Sequence, residues 1–181
     1  AFGEKPFAVF SPAGGGGLTL AVARGVAELA VNGRVHCVQP AGNDTIASAL
    51  REGAPVARAV DSTTAISGLQ VGSVLDGDEG ISACRNGGGT GYVVTDEAAF
   101  AWQARLARDE GIFCEPACAV SLAGVEVALA AGEVDAKEHL VCLITGVGFK
   151  DEASVLRMTG PEPTAVWPTF NAFSDAVRSA L

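Results

Sequence analysis

An α/β fold, with a mostly parallel sheet held in a three-layer α/β/α arrangement, is what this sequence predicts. Four short apolar runs, around residues 7–12, 34–40, 90–95 and 140–145, lack the polar alternation of a half-solvated strand and read as strands buried on both faces. Segments with apolar residues at helical spacing lie between them, so strand and helix alternate as a covered parallel sheet requires. Four consecutive glycines, Gly14, Gly15, Gly16 and Gly17, sit at the first strand-to-helix junction. Open α/β sheets gather their ligands at such carboxyl ends of strands.

Taken in order, Phe7-Ala-Val-Phe-Ser-Pro12 is the first strand and Leu18-Thr-Leu-Ala-Val-Ala-Arg-Gly-Val-Ala-Glu-Leu29 the first helix. An Asn32-Gly33 turn leads into the strand Arg34-Val-His-Cys-Val-Gln-Pro40. Residues 43–52 read as a short helix and residues 54–80 as mostly irregular chain. Thr90-Gly-Tyr-Val-Val-Thr95 is the next strand, with Asp96 as N-cap of a helix that ends near Glu110 and is terminated by Gly111. Pro116 suits the first turn of a further helix running to about Gly132. Leu140-Val-Cys-Leu-Ile-Thr145 is an apolar strand opening into Gly146-Val-Gly148, and the tail beyond Lys150 is less regular until a helix near residues 170–180.

The chain has 181 residues, of which 49% are hydrophobic and 18% charged. That composition suits a single globular α/β domain over residues 1–181, burying about 70% of its unfolded surface. A net charge of −9 argues against nucleic acid or an anionic membrane as partner. No apolar run reaches the roughly 20 residues that span a bilayer, and the N-terminal residues show no secretory pattern. Cysteines at 37, 84, 114, 118 and 142 form no Cys-x-x-Cys pair, and His36 and His139 stand at no metal-ligand spacing from them. They read as reduced core residues of a cytoplasmic protein.

The glycine run is the candidate site. Successive glycines let backbone N–H groups turn toward one point, and the helix behind them adds unpaired N–H groups and the positive end of its dipole. This is a phosphate-holding arrangement, although a tight strand-to-helix turn would leave the same trace. No lysine followed by Ser or Thr comes after the glycines, which argues against a nucleoside-triphosphate loop. The dinucleotide pattern fails too, because Thr19 or Leu20 occupies its third glycine position and Val35-His-Cys-Val-Gln39 has no acidic residue. A single small phosphate, such as that of pyridoxal phosphate, fits better.

Six segments carry a family resemblance. They are Ser11-Pro-Ala-Gly-Gly-Gly-Gly-Leu18, His36-Cys-Val-Gln-Pro40, Ile66-Ser-Gly-Leu-Gln-Val71, Gly89-Thr-Gly-Tyr-Val-Val-Thr-Asp-Glu97, Glu110-Gly-Ile-Phe-Cys-Glu-Pro-Ala-Cys-Ala119 and Leu143-Ile-Thr-Gly-Val-Gly-Phe-Lys-Asp151. In this order the chain resembles the large-domain portion of the fold-type II pyridoxal-phosphate enzymes, the tryptophan synthase β-like superfamily, and within it the threonine synthases. The resemblance implies that Gly14, Gly15, Gly16, Gly17 and the Leu18 amide cradle the phosphate of pyridoxal 5'-phosphate. It implies that Thr145 bonds the pyridine nitrogen through its hydroxyl, that Ser67 and Gly68 line the pocket near the ring, and that Glu115 lies close to the cofactor. Taken alone, Thr145 reads as a strand-end cap and Glu115 as a solvated residue at a helix N-terminus.

Two departures accompany the resemblance. The family's Gly-His-Gly segment is Gly146-Val147-Gly148 here, without the imidazole. The family also holds its cofactor on a lysine in a Ser-x-Lys-x-Arg-like motif upstream of the glycine loop, and that lysine takes the substrate α-proton. Lys5, Lys137 and Lys150 do not match it and read as solvated surface lysines. No catalytic residue is therefore assigned within the chain.

The expectation is a piece of a larger enzyme, partnered by a lysine-bearing N-terminal polypeptide or segment, with an amino-acid substrate and a homodimeric assembly as the family implies. Its reaction would be that of threonine synthase, O-phosphohomoserine to threonine and phosphate. The alternatives are an amino-acid dehydratase or cysteine synthase reaction on the same fold, or a non-catalytic fragment binding a phosphate-bearing ligand or partner.

Overall fold

The computed structural model describes residues 6–159 and 168–180. Four strands form one sheet: β1 (Phe7–Pro12), β2 (Gly33–Pro40), β3 (Gly91–Val94) and β4 (His139–Cys142). Their order is β3-β2-β1-β4, and every neighbouring pair is parallel. Strand β1 thus lies between β2, with Phe10 opposite His36, and β4, with Phe10 opposite Cys142.

The helices are α1 (Gly17–Glu28), α2 (Ala47–Arg51), α3 (Gly77–Asn86), α4 (Asp96–Arg105), α5 (Pro116–Ala130), α6 (Glu152–Thr159) and α7 (Phe170–Ala180). Side chains alternate across a strand, and the two sheet faces are covered accordingly. Ala8, Phe10, Val38, Tyr92 and Val94 pack with Ala99 of α4 and with Ala117, Val120 and Ala123 of α5. On the other face Val9, Val35 and Cys37 pack with Ala23 of α1, Ala47 and Leu50 of α2, and Ile81 and Cys84 of α3. This is the expected three-layer α/β fold. Phe10, fully buried at its centre, contributes about 2 kcal/mol by leaving water.

Local chemistry explains where the elements differ from expectation. Thr95, not Asp96, is the N-cap of α4: its hydroxyl accepts the Ala98 N–H at 3.1 Å. Asp96 is the first helical residue, and its carboxylate is drawn away to the Thr64 hydroxyl and the Ala65 N–H, both at 2.6 Å. Helix α4 continues into a π-helical turn, Leu106–Glu110, closed by Gly111 at φ 68° as anticipated. The stretch expected as a helix over residues 43–52 divides into a 3-10 turn, Ala41–Asn43, and the shorter α2. Helix α3 begins inside the stretch read as irregular, because burial of Ile81 and Cys84 outweighs the low propensity of Gly77 and Gly80. Helix α6 occupies part of the tail read as less regular, and α7 closes it where a helix was expected.

Strand β4 ends at Cys142, before the expected Thr145: its pairing stops opposite Phe10, while β1 continues to Pro12 against β2 alone. Only the Leu143 N–H still reaches a β1 acceptor, the Phe10 carbonyl oxygen at 3.3 Å. All five cysteines are free thiols, four of them buried and Cys142 half-buried. Burial pushes the Cys84 thiol up to about 12 and the Cys114 and Cys142 thiols to about 11, which keeps them protonated.

Candidate functional site at the carboxyl ends of β1 and β4

The glycine loop leaves the carboxyl end of β1 and becomes the first turn of α1. Gly16 takes φ 99°, a left-handed conformation that favours glycine, and stands at the N-cap position without a side-chain cap. The first bond from the helix to the loop runs from the Leu20 N–H to the Gly16 carbonyl oxygen at 2.9 Å. The N–H groups of Gly17, Leu18 and Thr19 precede it in the first turn, where no helical carbonyl is available to them. Gly17 and Leu18 are exposed, whereas Thr19 is buried and joins α1 to β1 through a 2.8 Å hydroxyl contact with Ser11.

The loop is held from two sides. The fully buried Gln39, near the end of β2, donates from Nε2 to the Gly14 carbonyl oxygen at 3.2 Å and to the Thr45 hydroxyl at 3.0 Å. Its Oε1 accepts the Ile46 and Ala47 N–H groups at 2.7 and 2.8 Å. All four bonding positions of the amide are therefore used. On the outer side, a Cβ at Gly14 would stand 3.1 Å from Val71 Cγ2, one at Gly15 2.7 Å from Leu75 Cδ1, and one at Gly17 3.0 Å from Asp76 Oδ2. The glycines thus admit the chain over residues 71–76 as well as shaping a cradle.

A second strip of backbone borders the loop. The chain entering α5 pairs with the chain leaving β4: Cys114 and Val147 form an antiparallel bridge, and Glu115 donates its N–H to the Gly146 carbonyl oxygen at 3.2 Å. A Cβ at Gly146 would fall inside the Glu115 carboxylate, so the glycine is what lets that side chain lie across residue 146. Cys118, in the first turn of α5, reaches the same place with its sulfur 3.1 Å from the Thr145 nitrogen.

Gly68 links the two strips. It takes φ 85°, its carbonyl oxygen lies 3.4 Å from the Cβ position of Gly14, and its own Cβ position lies 3.7 Å from Ala117 Cβ. The Asp96 bonds to Thr64 and Ala65 steady the chain just before it. The fold therefore gathers Gly14, Gly15, Gly16, Gly17, Leu18, Ser67, Gly68, Glu115 and Thr145 at one end of the sheet. Ser67, Gly68 and Thr145 are exposed there, and Glu115 is partly buried.

Four residues that hold this end were not legible as functional. Gln39 had a signal, a lone amide near the end of an apolar strand. Asp96, Cys118 and Asp76 had none, because each acts on a segment distant in sequence. Of the lysines, Lys137 and Lys150 are exposed, and Lys150 Nζ stands 3.9 Å from Glu115 Oε1; Lys5 lies outside the described residues. A concavity of about 580 Å³ lies at the opposite, amino end of β2, between α1 and α3. Its arginines are ion-paired, Arg24 with Glu79 and Arg34 with Glu138, so the loops with free donors point to the carboxyl end instead.

An uncapped helix N-terminus behind a glycine loop, with Gly17 and Leu18 exposed, fits a small phosphate. The exposed Thr145 hydroxyl and the Glu115 carboxylate add one donor or acceptor and one negative charge close by.

Comparison with known proteins agrees with that chemistry. A family model described as pyridoxal-phosphate dependent enzyme matches residues 1–146. A threonine synthase from Methanosarcina acetivorans is 33% identical over 98% of this chain and 44% of its own length. One from Methanocaldococcus jannaschii is 32% identical over 85% of the chain and 40% of its own. The chain thus spans less than half the length of these relatives. Among solved structures, a T.th. threonine deaminase matches 78% of the chain and 50% of its own at 26% identity, with a TM-score of 0.61. The processed form of threonine deaminase isoform 2 from Solanum lycopersicum, 20% identical, shares the fold with a TM-score of 0.70 over 87% of the chain and 44% of its own.

Proposed function

The chain belongs to the pyridoxal-phosphate dependent enzyme family, and on that premise we propose that it is the cofactor-phosphate-holding portion of a threonine synthase-like enzyme. The reaction of the complete protein would convert O-phosphohomoserine to threonine and phosphate. One observation carries this reading: the glycine loop and the Glu115–Thr145 strip lie side by side at the carboxyl ends of the adjacent strands β1 and β4.

In this reading the N–H groups of Gly17 and Leu18, with the loop over residues 14–16, bind the phosphate and anchor the cofactor. When bound, the cofactor withdraws electrons from the bond broken at the substrate α-carbon. Thr145 offers its hydroxyl to the pyridine nitrogen. A hydroxyl, unlike a carboxylate, does not enforce a full charge on that nitrogen, which suits elimination and replacement rather than transamination. Ser67 and Gly68 form the adjoining wall, and Glu115 supplies negative charge beside the ring. The α-proton would go to a lysine from a polypeptide or segment outside this sequence, which would also complete the amino-acid site. Residues 1–181 would then be one α/β domain of a cytoplasmic, homodimeric enzyme.

A second reaction on the same fold is favoured by the 26% identity to the T.th. threonine deaminase, namely β-elimination from a hydroxy amino acid. Turnover by the complete protein separates the two: release of phosphate from O-phosphohomoserine supports the first. Ammonia release from threonine or serine without it replaces that reading with the second. The cofactor assignment has its own test, borohydride reduction followed by denaturing intact-mass measurement. A pyridoxyl-phosphate adduct on a companion polypeptide, or on a longer chain, is expected. Only the unmodified mass of this chain would remove the reading.

A further inference from the structure

We propose that Cys118 is the positioning residue for Thr145, its sulfur fixing the turn on which the Thr145 hydroxyl is presented. The proposal rests on the reading of Thr145 as partner of the cofactor ring nitrogen. Regular pairing of β4 with β1 stops one residue past Cys142, at the 3.3 Å bond from the Leu143 N–H to the Phe10 carbonyl oxygen. Thr145 and Gly146 lie beyond the reach of β1, and what holds them comes from α5. The fully buried Cys118 sulfur accepts the Thr145 N–H at 3.1 Å and the Gly146 N–H at 3.2 Å. From the other side, the Gly146 carbonyl oxygen accepts the Glu115 N–H at 3.2 Å.

The sulfur also touches the Thr145 side chain, with Oγ1 at 3.4 Å, and lies 3.6 Å from the Gly146 carbonyl oxygen. The rotamer of Thr145 is thereby set against the sulfur, and the residue stays exposed to a ligand on its other side. A thiol suits this place for two reasons. Sulfur is large enough to meet two adjacent N–H groups at once, and its apolar character fits the packing of Cys118 with Cys114, Ala119 and Leu106. Cys118 touches no reacting atom in this scheme; it acts through Thr145.

The test compares the full chain with its Cys118→Ala and Cys118→Ser variants, first by amide hydrogen exchange without any ligand. Cys118→Ala is expected to speed exchange at Thr145 and Gly146 at least fivefold, leaving the β1 and β2 amides unchanged. Cys118→Ser, which keeps an acceptor, is expected to recover part of that protection. Unchanged exchange at Thr145 and Gly146 in Cys118→Ala overturns the proposal.

The second readout is the dissociation constant of the complete protein, including its lysine-bearing portion, for pyridoxal phosphate, followed by fluorescence. Cys118→Ala and Thr145→Val should each weaken binding severalfold, and the double variant should be no weaker than either. Weakening by Cys118→Ala without weakening by Thr145→Val shows that the cysteine acts elsewhere and also overturns the proposal. If wild type shows no binding, the cofactor reading itself falls. The exchange data would then mark Cys118 as a turn contact with no role toward a ligand.

Discussion

The side-chain amide of Gln39 donates to the carbonyl oxygen of Gly14 at 3.2 Å, tying the end of β2 to the loop that follows β1. The same amide accepts the Ile46 and Ala47 N–H groups at the start of α2. One buried residue therefore sets the position of the glycine loop relative to the helix beside it. Gln39→Leu leaves the Gly14 carbonyl, the Thr45 hydroxyl and two N–H groups without that partner, at a cost of about 3 kcal/mol. Urea denaturation should show that loss, and pyridoxal-phosphate affinity should fall with it. Retention of full stability would mean the loop is held by other contacts.

Gly146 and Glu115 are coupled by space. Gly146→Ala should expel the Glu115 carboxylate and cost about 2 kcal/mol by overpacking. The same change made in a Glu115→Ala background should cost much less, because the obstructing group is gone. A double-mutant cycle on thermal stability measures the difference, and additivity would contradict the observed contact.

Asp76 places negative charge at the phosphate cradle, with Oδ2 3.0 Å from the Cβ position of Gly17. The carboxylate makes no side-chain cap to α3, so Asp76→Asn should be nearly neutral for folding. Removing like charge beside a bound phosphate should tighten pyridoxal phosphate by roughly fivefold, about 1 kcal/mol. Inorganic phosphate should compete more strongly in the variant. Weaker binding on this change would place the anion elsewhere.

His36 carries a pH signature. Burial, helped by the positive charges of Arg34 and Arg51 and opposed by the carboxylates of Glu138 and Glu133, lowers its imidazole to about 4. Its Nδ1 accepts the Thr90 N–H at 3.1 Å, which also requires the neutral ring. The unfolded chain binds the proton near its ordinary value of about 6.5 while the folded chain does not. Stability from this group is therefore complete above about pH 6.5 and is lost as pH falls toward 4, by about 3 kcal/mol in all. NMR titration of the His36 ring should give a midpoint near 4, and a midpoint near 6.5 would refute the burial argument.

The elements legible in the sequence are those whose signals are local. Strands β1 and β2 and helix α5 carry continuous apolar runs, and backbone geometry alone lets Pro116 mark the start of α5 and Gly111 the end of the turn that continues α4. Helix α3 was hidden because Gly77 and Gly80 argue against a helix until Ile81 and Cys84 have a sheet to pack on. The N-cap of α4 shifted by one residue because Asp96 is claimed by Thr64 and Ala65, a tertiary competition that local propensity does not contain. The glycine loop was readable from four consecutive glycines. Its supports, Gln39 from β2 and residues 71–76, were not.

By itself the sequence determined the alternation of strand and helix, the buried character of the strands and the glycine-rich entry to α1. Each follows from hydrophobic period or from the conformational freedom of single residues, which neighbours along the chain suffice to express. Tertiary structure alone decided that Gly14 meets Gln39 and Gly68, that Glu115 lies on Gly146, and that Cys118 grips Thr145. Those meetings depend on strand order β3-β2-β1-β4, which sets β4 against β1 across most of the chain's length. Strand order is a property of how buried faces pack together, and no local pattern records it.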